Sequence, residues 1–441
     1  MKKSIMMLSA ALMIGGVASA QKVAFEEYDL DNGMHVILHN DTSAPVVVTS
    51  VMYHVGSKDE KPDRTGFAHF FEHLLFEGTE NIKRGEWMKI VTANGGTNNA
   101  NTSDDRTYYY EVFPSNNLEL ALWMESERLM HPVINKIGVD TQNEVVKEEK
   151  RTNFDNRPYG NILTVVKENM FKNHPYRWNT IGSMKDLDAA TLEEFQAFNK
   201  KFYTPNNAVL VVAGDFEKGQ AKEWIRKYFG PIKKGEVVTK QVFTEEPITE
   251  TIKATYEDPN IQIPMIVASY RTPSMKTRDA RVLDMISSYL SDGKSSKLYK
   301  KIVDDKKMAL QIGAVGFSQE DYGMYIVYGL PMGTYTTEDL LKEIDEEIVK
   351  IQTDLISDKD FQKLQNKFDN NFVNANASVE GIAENLATYY LLYKDVNLIN
   401  SEIELYHSIT REEIREVAKK YLNANQRLIL DYIPSKEKAQ N

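Results

Sequence analysis

The chain contains one unit written twice, and this repeat constrains its fold more than any single motif. Tyr108-Tyr109-Tyr110-Glu111-Val112-Phe113-Pro114 reads as a strand, followed from Asn117 to Met130 by an amphipathic helix. About 217 residues later, Tyr325-Ile326-Val327-Tyr328-Gly329-Leu330-Pro331 is followed by a helix of the same kind from Thr337 to Ile351. DTQNEVVKEEKRTNFDN (140–156) parallels SDKDFQKLQNKFDNNFV (357–373), and each half closes on an apolar strand, AVLVVAG and RLILDYI. Strands mixed with long helices predict α+β units. At 441 residues the chain is too long for one compact core. The expected fold is therefore two homologous α+β domains, 21–235 and 251–441. Each is a mostly antiparallel sheet with helices on one face, and the polar stretch 236–250 joins them.

The halves differ in one respect that carries chemistry. The first contains His69-Phe70-Phe71-Glu72-His73 on a helix with an apolar body of Phe67, Phe70, Phe71, Leu74 and Leu75. Residues three and four apart share a helix face, so both imidazoles point the same way with Glu72 beside them. Neutral imidazoles ligate Zn²⁺, and a carboxylate next to such a metal can take a proton from water. His-x-x-Glu-His is the inverted zincin order. At the corresponding place the second half has RVLDMISSYLSDG, and no histidine lies between His174 and His407. The chain has no cysteine, so any metal rests on histidine and carboxylate. A third ligand is needed, and Glu144, Glu148 and Glu149 lie on one predicted helix. Neighbours there are about 100° apart, so Glu148 and Glu149 cannot both face the metal.

Two further segments bear on function. In NGGTNNANTSDDRTYYYE, Gly95-Gly96 allows close backbone approach, and Ala100, Thr102 and Ser103 are small. Such an edge strand can take up an extended peptide as an extra strand. Residues 1–20 read as a secretory signal: Lys2 and Lys3, an apolar run from Ile5 to Val17, then Ala18-Ser19-Ala20 before Gln21. The expectation is export to a bacterial periplasm or the cell exterior, with no membrane span after the signal is removed. The net charge of −11 argues against nucleic acid as a partner.

TGFAHFFEHLLFEGT resembles the active-site helix of the pitrilysin or insulysin-type zinc peptidases, which include mitochondrial processing peptidase. DLDNGMHVILHNDTSAPVVVTSVMYHVGSKDE, ANGGTNNANTSDDRTYYYEV, NHPYRWNTIGSMKDL and FYTPNNAVLVVAGDF resemble further segments of that family in the same order. The resemblance implies one Zn²⁺ per chain, held by His69, His73 and Glu149, which lies 76 residues beyond His73. It implies Glu72 as general base, and peptide binding by the edge strand with Gly95, Gly96 and the Asn99-Ala100 pair. Gln142 stands where the family often has an acid near the metal, so a neutral amide replaces a charge there.

The family fold implied is two α+β units per chain, with two chains closing around a peptide-sized chamber. The family also completes its site with an Arg and a Tyr from a segment resembling SVEGIAENLATYYLLY. Here that segment has Tyr389, Tyr390 and Tyr393, but no arginine lies between Arg281 and Arg411. A related chain supplying the Arg-Tyr pair is therefore the expected partner, with a homodimer as the other assembly. The activity implied is an exported zinc endopeptidase acting on peptides or unfolded segments. The alternative is a non-catalytic scaffold or peptide-binding subunit, against which the intact His69, Glu72, His73 and Glu149 argue.

Overall fold

The computed structural model describes residues 22–435; the expected leader, 1–20, lies outside the described residues. The first half builds a sheet from β1 (Glu26–Asp29), β2 (His35–Asn40), β3 (Val46–Tyr53), β4 (Thr97–Thr102), β5 (Thr107–Pro114) and β6 (Ala208–Gly214). Its spatial order is β1-β2-β6-β3-β5-β4. The second half uses β7 (Ile252–Asp258), β8 (Met265–Pro273), β9 (Ala309–Phe317), β10 (Tyr322–Pro331) and β11 (Leu428–Pro434), in the order β7-β11-β8-β10-β9. With β1 set aside, the two orders coincide strand for strand. The parallel pairs also fall at the same place, β2 with β6 and β7 with β11, and the other pairings are antiparallel. These are two α+β domains with mixed, mostly antiparallel sheets.

Each sheet packs one face on helices of its own half. Phe67, Phe70, Phe71, Phe195 and Ile225 cover the first, and Met285, Ile286, Leu340, Ile344 and Val417 the second. The opposite faces are covered too, and here the halves exchange elements. Ile382, Ala383, Leu386 and Ala387 of the helix Val379–Thr388 lie on Ile37, Val48, Val209 and Val211 of the first sheet. Val165, Val166 and Met170 of the helix Ile162–Met170 lie on Val267, Ile326 and Leu430 of the second. The expectation of helices on one face thus gains a crossover helix on the other. The reason is visible in β6, Ala208–Gly214, which is buried along its whole length and shows no apolar–polar alternation. A strand covered on both faces has that pattern.

A buried charge cluster joins the halves between the sheets. The Lys58 ammonium lies 2.9 Å from Asp105, 2.7 Å from Glu320 and 3.2 Å from Asp321. Tyr176 donates to Asp105 at 2.5 Å, and the Glu320 amide donates to the second oxygen of Asp105 at 2.9 Å. Among the described residues no helix is long and apolar enough to cross a membrane.

Candidate metal centre

The motif helix runs from Phe67 to Leu74 and starts at Gly66, whose φ of +93° suits only glycine and whose position offers no side chain to cap the helix. The cap comes from Glu60. Its buried carboxylate accepts the Gly66 amide at 2.9 Å and the Ala68 amide at 2.8 Å. This satisfies N–H groups that helix starts leave open. Phe67 and Phe70 then stack on Phe195 at centroid distances of 4.6 Å, which fixes the helix's rotation. The stripe left facing away carries His69, Glu72 and His73.

Glu149 reaches them from the last turn of the helix Lys136–Lys150, which passes into a π-helical turn at Arg151–Asp155. The helix N-terminus is capped by Asn135, which accepts the Gly138 amide at 2.9 Å. A Cβ at Gly138 would stand 3.4 Å from Leu74 and 3.7 Å from Glu77, ordinary contact distances, so the start of this helix packs directly against the end of the motif helix and the bend after it. Gln142 donates to Glu77 at 2.6 Å and ties this helix to the bend just after the motif helix; its bond is to Glu77, not to a ligand candidate. Glu144 and Glu148 turn outward, where they pair with Lys147 and Arg151.

Three donor atoms converge. His69 Nε2 and His73 Nε2 are 3.4 Å apart, and the Glu149 Oε2 lies 3.5 Å from the first and 3.2 Å from the second. A triangle of these edges has a common point about 2 Å from every corner, which is the bond length of Zn²⁺ to imidazole nitrogen and carboxylate oxygen. Among the described residues this is the one group of three or more such side chains placed to hold a metal ion. Burial and the neighbouring His73 push the His69 imidazole down to about 4, so the ring is neutral near pH 7, the form that ligates. The hydrogen bond with His73 holds the Glu149 carboxyl below the usual range, which keeps it an anion. Donor type, charge state and spacing all fit Zn²⁺.

Glu72 stands beside this triangle and accepts a hydrogen bond from Thr102 Oγ1 at 2.7 Å. Burial raises its carboxyl above the ordinary glutamate value, against the opposing effect of the Thr102 bond. Thr102 belongs to β4, the terminal strand of the first sheet, so one edge of β4 is open. The Ser103 amide donates to the Arg106 carbonyl at 2.9 Å at the hairpin end. In the antiparallel register, hydrogen-bonded pairs then recur at Asn101–Tyr108, Asn99–Tyr110 and Thr97–Val112. The backbone groups of Asn98, Ala100 and Thr102 are left facing the open edge. The Ala100 amide there donates only to its neighbour Asn99 Oδ1, at 2.9 Å.

The two glycines before β4 have internal reasons of their own. Gly95 takes a φ of +71° in the turn, and a Cβ on Gly96 would stand 2.5 Å from the Phe113 ring.

The sequence gives no sign that Glu60 acts on this site, because SKDEKPDR reads as a solvated charged run. The available signal is negative: a helix that begins at glycine must be capped from elsewhere. The tyrosines of 389–393 lie on the sheet face opposite the motif helix. Tyr389 donates to Glu402, and the Arg281 guanidinium pairs with Glu402 at 3.1 Å and lies 5.7 Å from the centre of the Tyr393 ring. The fold thus brings an arginine from another helix to a segment that has none of its own.

In the second half the counterpart of the motif helix, Arg278–Ser291, carries Ser287 and Ser291, and both donate to the Ala314 carbonyl of β9. Lys367, near the place of Glu149, pairs with Asp292.

Two protein-family models match the chain. Residues 35–183 match the one described as insulinase (peptidase family M16), and residues 189–368 the one described as peptidase M16 inactive domain. The zinc protease PqqE of Helicobacter pylori is 28% identical over 433 residues, 96% of this chain and 97% of that protein. The crystal structure of a protease from Helicobacter pylori superposes with a TM-score of 0.89 at 27% identity, over 93% of this chain and 99% of that one. The periplasmic protease PqqL from Escherichia coli shares the fold at a TM-score of 0.78 and 18% identity, over 94% of this chain and 48% of that one.

Proposed function

The chain belongs to the insulinase-type M16 peptidase family, whose relatives here are named zinc proteases, and we propose that it is an exported zinc endopeptidase that hydrolyses extended peptides or unfolded segments. The observation that carries this reading is the convergence of His69, His73 and Glu149 beside Glu72, next to an open strand edge. His69, His73 and Glu149 would hold one Zn²⁺ per chain. When bound, the ion supplies Lewis acidity toward a peptide carbonyl and acidifies water.

The remaining work falls to the protein. Backbone groups of Asn98, Ala100 and Thr102 pair with the peptide as an added strand. Thr102 fixes one oxygen of Glu72. Glu72 accepts a proton from the attacking water and returns it to the leaving amine as the peptide C–N bond breaks. Gln142 acts at one remove, by holding Glu77 in the bend that follows the motif helix. Export rests on residues 1–20.

The ligand assignment is tested by His73→Ala. The variant, purified from residue 21 and dialysed at neutral pH, is expected to lose most of its zinc while the parent keeps about one ion per chain; full occupancy in the variant would sink the assignment.

A second reading concerns assembly. No arginine accompanies Tyr389, Tyr390 and Tyr393 in their own segment, and their cluster with Arg281 forms no hydrogen bond or ion pair with the site residues among those described. We therefore expect the zinc-loaded chain to cleave a quenched peptide poorly alone. Mixing it with a related chain that carries Arg and Tyr should raise hydrolysis about ten- to hundredfold, the worth of one or two charge-assisted bonds in the transition state. Strong activity from the chain alone would point instead to a self-sufficient homodimer.

A further inference from the structure

Beyond general peptide hydrolysis, the open edge of β4 carries information about which peptides fit; this inference rests on the strand-addition reading above. A peptide paired with Asn98, Ala100 and Thr102 sends alternate side chains to opposite faces of the sheet. One set points toward Glu72 and the motif helix. The other set lies on the face of Asn99 and Asn101, and there the wall is made by the second half of the chain.

Arg106 donates to the Asn101 carbonyl at 3.1 Å and to Glu384 of the crossover helix at 3.2 Å. One turn earlier on that helix, Glu380 faces the Tyr110 hydroxyl, which also contacts Asn99. Each glutamate is therefore one side chain removed from a residue of the edge strand. Directly opposed residues on neighbouring strands have Cβ atoms about 5 Å apart. Peptide side chains opposite Asn99 and Asn101 thus fall within reach of these acids.

The charges do not cancel. Arg106 is matched by Glu384, whereas Glu380 has a neutral hydroxyl as its partner and forms no ion pair among the described residues. The wall carries one arginine against two carboxylates, a net charge of −1 beside the docking edge. A lysine or arginine on the peptide has a long stem to reach over the asparagines and three or five donors for the carboxylates. An acidic side chain in the same place meets an unmatched anion.

We propose that Glu380 and Glu384, with Arg106 holding the second of them against β4, select peptides that carry a basic side chain on the face opposite the metal site. The selected positions are two residues apart along the peptide and are not the ones whose side chains face Glu72. Arg106 is a positioning residue here, and the two glutamates are the specificity determinants.

The test separates this from the strand-addition reading. Zinc-loaded Glu72→Gln protein, full-length from residue 21, is titrated at low salt with fluorescein-labelled extended peptides. They share one sequence and carry Lys, Ala or Glu at each position in turn. The expected result is affinity in the order Lys, Ala, Glu at two positions spaced by one residue, with about tenfold or more between Lys and Glu. The preference should shrink in Glu380→Gln, and in Glu380→Gln/Glu384→Gln, where Arg106 is left unmatched, it should vanish or turn toward Glu, while Ala peptides bind as before. Peptides that bind equally well with Lys, Ala and Glu would overturn the selectivity and leave strand addition standing. A Lys preference that survives in the double variant would overturn the assignment to these two residues. No peptide binding by zinc-loaded protein would remove the strand-addition reading, and this one with it. Glu380 is exposed and the Glu384 side chain is 42% exposed, so the glutamine variants retain the packing of Ile382, Ala383, Leu386 and Ala387.

Discussion

Glu72→Gln is expected to keep the fold and the zinc and to lose about 10² to 10⁴ in hydrolysis rate, the usual worth of a general base. The amide is nearly isosteric with the carboxylate. Its oxygen can still accept the Thr102 hydroxyl, which donates to Glu72 at 2.7 Å. His69, His73 and Glu149 are untouched, so zinc content should match the parent. What is lost is the ability to take a proton from water and hand it to the leaving amine. The measurement is cleavage of a quenched peptide by metal-matched parent and variant, in whichever assembly is active. Near-normal turnover by the zinc-loaded variant would refute the role of Glu72.

Lys58→Met is expected to destabilise the fold by about 3–5 kcal/mol, the cost of removing one member of a buried ion pair. The Lys58 side chain is 8% exposed and stands among Asp105, Glu320 and Asp321. Methionine fills the volume but leaves the buried Asp105 without its cation and takes one of two from Glu320, which keeps Lys276 at 3.0 Å. Burial alone would push the Lys58 ammonium down; the three carboxylates more than offset this and hold it well above the ordinary lysine range. A raised base stabilises the fold at every pH below its unfolded value and loses that contribution only as pH rises through the folded one.

On the acid side Glu320 is one relevant group. Burial would raise its carboxyl, but the hydrogen bond from His54 and the Lys58 charge hold it far below the usual range. A depressed acid stabilises above its unfolded value, about 4.3, and loses this as pH falls toward the folded one. Asp105, raised by burial even beside Lys58, rises further without it and takes up a proton in the variant first, so the gap between parent and Lys58→Met should narrow steadily as pH falls from about 9 toward about 4. Denaturant unfolding across that range measures it. A variant as stable as the parent at pH 7 would show that the cluster does not hold the halves together.

Much of the fold is legible in the sequence because its signals are local. Tyr108–Pro114 and Tyr325–Pro331 announce equivalent strands, β5 and β10, by composition and by the helix that follows each. What the repeat does not announce is the exchange of helices. VEGIAENLAT has an apolar stripe, but nothing in it says whether the stripe meets its own sheet or the other one. The unbroken burial of AVLVVAG is a hint that something must cover the second face, without naming it. The choice is made by packing between segments more than 150 residues apart.

The same division runs through the candidate site. His69, Glu72 and His73 are fixed relative to one another by helix geometry, since residues three and four apart share a face whatever surrounds them. Their spacing therefore carries the chemistry on its own. Helical geometry also excludes a shared role for Glu148 and Glu149, but it does not choose between them. The choice follows from how two helices lie together: Gly138 against Leu74, Gln142 on Glu77, and a π-helical turn after Lys150. Glu60, Thr102 and Arg106 belong to the same class. Each acts on an element distant in sequence, and a side chain's reach across such a gap depends on the packed positions of both backbones. The sequence by itself determined the repeat, the helix face that His69, Glu72 and His73 share and the character of the edge strand, because these are set within a few residues by backbone periodicity. The tertiary structure brings to the triangle the acid that the family resemblance names, Glu149, and it alone decided what caps the motif helix and which half lies against the face of Asn99 and Asn101, because these depend on packing between elements the chain brings together only when folded.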